Sequence, residues 1–64
     1  RDRSIVAIEV KLSSTVDDRD VRHLHWLRGQ LPDRVVDTVV ITTGEHAYRR
    51  HDGVAVIPLS LLGP

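Results

Sequence analysis

Glu9 and Lys11 stand two residues apart inside Ile5-Val-Ala-Ile-Glu-Val-Lys-Leu-Ser-Ser14, an otherwise apolar and largely β-branched run. In a strand, alternate side chains share a face, so Ile5, Ala7, Glu9 and Lys11 fall together while Val6, Ile8 and Val10 point the other way. The carboxylate and the ammonium then lie roughly 6 to 7 Å apart along the strand at ~3.3 Å per residue. At the end of a buried strand such a pair can hold a divalent metal and steady the charge on a phosphate under attack. The competing reading is an ion pair where the strand meets water, and a pattern as short and common as E-x-K does not choose between them.

Other reactive side chains give weaker signals. Trp26 lies about 140° around a helix from Val21, away from the apolar stripe, with Arg19, Arg22 and His23 nearby. That set suits a protein interface, where tryptophan and arginine concentrate, or a basic aromatic patch that stacks on nucleic-acid bases. A Trp lying flat on its neighbours is the third reading. His23 and His25 are roughly 200° apart around the axis and cannot share one ion, and Arg49-Arg50-His51 reads as a solvated turn, with a phosphate contact as the alternative. No glycine-rich phosphate loop and no nucleophile elbow is present.

The elements that would position these groups follow from periodicity. Ser13-Ser-Thr-Val-Asp-Asp18 offers caps for a helix over about Asp17 to Gln30, with Val21, Leu24, Leu27 and Leu31 on the stripe that meets a sheet. Val35 to Thr43 is the densest β-branched run and stops at Gly44. Strand, helix and strand predict a βαβ crossover with parallel strands. His46 to Arg50 and Val54 to Ile57 flank Asp52-Gly53, a hairpin signal, and Pro58 opens a short terminal helical turn. The fold expected is α/β, in the order βαβββ, with a mixed sheet, one main helix and a short C-terminal helical turn.

Composition bounds the function. Sixty-four residues make one domain. There is no cysteine, so neither a disulfide framework nor a thiolate metal site exists. Nine basic and nine acidic residues cancel, which leaves no overall attraction to nucleic acid or an anionic membrane. No apolar stretch approaches the ~20 residues that span a bilayer, and the expectation is a cytoplasmic chain that makes no membrane contact. The start at Arg1, directly before the first strand, reads as a C-terminal fragment of a larger protein.

The order of these features resembles one protein group. A strand ending Glu9-Val10-Lys11, a Ser-rich cap, a helix of the form Val21-x-x-Leu24-x-Trp26-Leu27-Arg28, a valine-rich strand ending Thr43-Gly44-Glu45 and a terminal Val56-Ile57-Pro58-Leu59-Ser60 are similar to the end of a nuclease-like domain of unknown function. That domain follows the ATPase domain in prokaryotic AAA-type ATP-binding proteins. The resemblance implies a partial restriction-endonuclease-like core, of the superfamily with an acidic residue followed on the next strand by (D/E)-x-K. It makes Glu9 the second acidic metal ligand and Lys11 the lysine beside the scissile phosphate. The first acidic ligand would precede residue 1, so the expected site is incomplete and the chain by itself is expected to be no enzyme and to bind no cofactor. For the parent, Mg²⁺ and ATP are implied. The expected role is a non-catalytic interaction or oligomerisation fragment, self-associating through the Ile5 to Val10 strand or the Trp26 face and contacting the ATPase domain. The alternative is the remnant of a metal-dependent nuclease or nucleic-acid-binding module. Glu9 and Lys11 are expected on the sheet face opposite the helix.

Overall fold

The computed structural model describes residues 4–63. Four strands and one helix follow in the order β1 (Ile5–Val10), α1 (Arg22–Gln30), β2 (Val35–Thr42), β3 (Tyr48–Arg49) and β4 (Ala55–Pro58), with a 3₁₀ turn over Leu59–Leu61. The sheet order is β1-β2-β4-β3. β1 and β4 both run parallel to β2, and β3 closes the far edge antiparallel to β4. The expected α/β class, the crossover and the hairpin are therefore present. Gly53 lets the hairpin turn, at a φ of 93° that a side chain would resist.

α1 is shorter than its sequence pattern. The acid-rich stretch forms turns rather than helix, because Asp17 and Asp20 cap each other: Asp20 N–H donates to Asp17 Oδ1 at 3.3 Å and Asp17 N–H donates to Asp20 Oδ2 at 2.8 Å. This reciprocal arrangement is a capping box set one turn ahead of the helix. The apolar stripe holds. Val21 and Leu24 are buried with Ala7, Val35, Val40 and Val54, and Leu27, Leu31, Ile5 and Val16 pack around them. Full burial of a side chain such as Leu24 is worth about 1.5–3 kcal/mol.

Among the described residues, the helix covers one face of the sheet. Ala7, with Ile5 beside it, packs in the core with Val21 and Leu24 of the helix, whereas Val6, Ile8 and Val10 are 50%, 56% and 61% exposed. Glu9 and Lys11 share the Ala7 face, so they lie on the helix side, and the expectation that placed them opposite is corrected. Alternation fixes which residues share a face but not which face the helix takes. The smaller alanine permits the closer approach.

β2 carries an irregularity near its start. Ile5 pairs with Val35 but Val6 pairs with Asp37, leaving Val36 as an extra residue. Val35 is accordingly buried and Val36 is 56% exposed although they are adjacent valines, and Thr38, Val40 and Thr42 return to the buried side.

Candidate functional site

Glu9 and Lys11 do come together. With Val10, Arg19, Asp20 and His23 they line a cleft of about 300 Å³ between the end of β1 and the turn that leads into α1. Lys11 reaches it from the last extended residue after β1, its own N–H bonded to Ile41 O at 2.8 Å. Its ammonium donates to Asp20 Oδ2. That hydrogen bond, then the one from Asp17 N–H, lowers the pKa of the Asp20 carboxyl below its ordinary value.

The cleft therefore holds a second carboxylate that the E-x-K pattern gives no hint of. It does not make a Mg²⁺ site. The ion needs carboxylate oxygens free to replace its waters, and here Asp20 is occupied by Lys11 and by a backbone N–H, while Arg19 and Lys11 offset Glu9 and Asp20. Charge balance in the cleft favours an internal ion pair. Lys11 serves to tie the β1 end to the pre-helical turn.

His23 joins this cleft to Trp26. Their ring centroids are 5.8 Å apart with planes tilted by 44°, within the range of favourable aromatic pairs. Trp26 is 58% exposed, on the outer helix face as expected. Arg22 and Arg19 are exposed beside it, and neither has a salt bridge among the described residues.

The densest polar cluster lies elsewhere, around Arg50. Its side chain is only 8% exposed, so Arg50 departs from the solvated turn expected of Arg49-Arg50-His51, whereas Arg49 and His51 are exposed as expected. The guanidinium donates to Asp18 Oδ1 at 2.6 Å, to both Asp52 oxygens at 3.2 Å and to Val16 O at 3.1 Å. His25 Nε2 adds a bond to Asp52 Oδ2 at 2.9 Å. Burial raises the Asp52 pKa, but the bonds from His25, the Val54 N–H and Arg50 outweigh it and hold the carboxyl down at about 2. Burial likewise works against charge on Arg50, and Asp18 and Asp52 more than offset it, leaving its pKa raised. One cation thus fastens the β3–β4 hairpin to the loop before the helix and, through Asp52, to the helix itself.

Asp18, His51 and Asp52 bring ligand atoms within 4.8 Å of one another. Arg50 already bonds both carboxylates, so a metal there would have to compete with a buried guanidinium. The arrangement is a structural clamp. The sequence shows no signal for it, because Arg50 meets partners 32 and 34 residues earlier in the chain.

A second cleft, of about 410 Å³, opens at the carboxyl ends of the strands, lined by Ser14, Thr42, Thr43, Gly44, Glu45, His46, Tyr48 and Val56. Gly44 sits where two loops approach closely, and a Cβ there would lie 3.2 Å from Ser14 O, which would have to give by a few tenths of an ångström.

Among the described residues, a mixed sheet covered by a helix on one face and edged by β1 and β3 defines the class: a small α/β domain with an apolar face. The chain belongs to the DUF4143 family, a domain of unknown function whose family model matches residues 1–62. No curated protein and no solved structure matches it. No helix among the described residues is long and apolar enough to cross a membrane.

Proposed function

We propose that this chain is a non-catalytic interaction and oligomerisation module of a nuclease-like domain attached to an AAA-type ATP-binding protein. The observation that carries the reading is the bare sheet face. Val6, Ile8 and Val10 are half or more exposed in one row, and Val36, Leu59, Leu61 and Leu62 are each at least 55% exposed. Isolated exposed apolar side chains are ordinary, but a row along an edge strand is a surface that another polypeptide covers. With each side chain leaving about half of its 1.5–3 kcal/mol burial free energy unrealised, covering the row contributes about 2–4 kcal/mol towards association. Trp26 with Arg19, Arg22 and His23 forms the second candidate surface, suited to the ATPase domain.

The nuclease or nucleic-acid reading makes Glu9 and Lys11 the working residues, and the Lys11–Asp20 pair argues against it. Sedimentation velocity over a wide concentration range tests the assembly reading, which expects the mean mass to rise with concentration. A species that stays monomeric throughout rejects it. In the intact protein, Glu9→Gln and Lys11→Met should leave assembly unchanged, whereas loss of a metal-dependent cleavage activity in both would favour the alternative.

A further inference from the structure

Resting on the second surface of the assembly reading, we infer that the outer face of α1 around Trp26 docks an acidic polypeptide segment, which sets carboxylates on Arg19 and Arg22 and an apolar side chain on the Trp26 ring.

The sign of this surface is set by the fold and not by local composition. Asp17-Asp-Arg-Asp-Val-Arg22 holds three acidic residues and two basic ones, so the stretch is acidic taken by itself. Every one of those carboxylates is engaged elsewhere. Asp17 Oδ1 accepts the backbone N–H groups of Arg19 at 3.0 Å and of Asp20 at 3.3 Å. Asp18 Oδ1 takes the Arg50 guanidinium at 2.6 Å, and Asp20 Oδ2 takes the Lys11 ammonium and the Asp17 N–H. Arg19 and Arg22 are left exposed, with no salt bridge among the described residues.

The same two arginines frame the tryptophan. Arg22 and Trp26 are four apart in α1 and share one side of the helix, about 6 Å apart along its axis. Arg19 lies one turn earlier, where its C=O accepts the Arg22 N–H at 3.4 Å, and it lines the cleft with His23. His23 props the indole, with ring centroids 5.8 Å apart, while Trp26 stays 58% exposed. Tryptophan and arginine are the side chains that anchor interfaces.

The charge pattern selects the partner. A guanidinium presents its N–H groups in a planar fork that matches a carboxylate, two bonds at a time. A nucleic-acid strand brings a phosphate with each nucleotide and binds along a continuous basic track. Here Glu9, Asp17 and Asp20 flank the arginines, and the chain as a whole has no net charge. A run of phosphates meets those carboxylates, whereas a peptide can place its acids only where the arginines are. The contact is one helix face, and the complex is a transient one.

Trp26 is the only tryptophan in the chain, so its fluorescence reports this surface alone. Iodide should quench it more strongly than caesium, each normalised to N-acetyltryptophanamide, and the double variant Arg19→Gln, Arg22→Gln should lower that ratio by about twofold. A helical peptide of about 15 residues with glutamate and leucine four apart should shift the emission to the blue saturably. Replacing its glutamates by glutamine, or using the double variant, should weaken binding by at least about tenfold. Both arginines are exposed, so the variant should keep the wild-type circular dichroism spectrum, and the glutamine peptide repeats the comparison on the unaltered chain. Equal quenching by the two ions, or equal affinity for the two peptides, overturns the inference. Tighter binding of an oligothymidylate than of the acidic peptide overturns the partner class in favour of nucleic acid. If the mean mass still rises with concentration in either case, only this inference fails and the assembly reading stands through the bare sheet face.

Discussion

Replacing Arg50 by methionine removes the guanidinium but keeps much of its apolar stem. The magnitude follows from its partners. The bond to Asp18 is weak, because Asp18 is 89% exposed and exposed pairs contribute about 0–1 kcal/mol. The Nε–H shared between the two Asp52 oxygens, with side chains 8% and 19% exposed, is a bifurcated, charge-assisted bond worth about 2 kcal/mol. The bond to Val16 O adds about 1 kcal/mol. Arg50→Met should therefore cost about 3–4 kcal/mol, within the 3–5 typical when one member of a buried pair is lost. A chain of 64 residues has a total stability of only about 3–10 kcal/mol. The variant should sit near its unfolding threshold, with Tm lowered by about 12–30 °C. Urea denaturation with a double-mutant cycle against Asp52→Asn is the assay, and a coupling of at least about 1.5 kcal/mol is expected. Asp18→Asn should cost under about 1 kcal/mol. A cost for Arg50→Met below that of Asp18→Asn, or a coupling near zero, would refute the clamp.

Three further outcomes are expected. Thr38 is fully buried and its hydroxyl has no hydrogen-bond partner among the described residues, so Thr38→Val should stabilise the fold by about 1 kcal/mol in urea denaturation; destabilisation would mean that the hydroxyl is satisfied. Asp52 has a folded pKa of about 2 against an ordinary 3.8, so its contribution is present above about pH 4 and is lost as pH falls towards 2. That amounts to at most about 2–3 kcal/mol, and a pH series of unfolding curves should flatten over this window in Asp52→Asn. Gly44→Ala must push back Ser14 O from 3.2 Å and should cost about 1 kcal/mol, measured by thermal melting, with no cost at all pointing to a slack loop junction.

How much of this is legible in the sequence depends on the range of the interactions. Local periodicity carries the strands, the parallel crossover, the hairpin at Asp52-Gly53 and the buried stripe of Val21, Leu24, Leu27 and Leu31. It fails at the helix start, where Asp17 and Asp20 satisfy backbone N–H groups outside a helix. It fails also at the face of β1, because both faces of that strand are apolar and only the helix decides between them. Asp20 and Arg50 are invisible to spacing, since each acts on residues brought together by the fold. The E-x-K pattern survives as a shared cleft, and the fold then fills its lysine with an internal partner.

The extra residue in β2 bears on how this family can vary in length. Val36 lies between Val35, paired with Ile5, and Asp37, paired with Val6, and it contributes nothing to the core. Deleting it would leave Val35 facing the helix and Asp37 facing outward, each side chain downstream keeping its present side. Deleting a residue from the middle of the strand would instead turn the remaining valines and threonines over. The start of β2 is therefore the one point in this strand where the reading frame of inside and outside can absorb a single-residue gap or insertion.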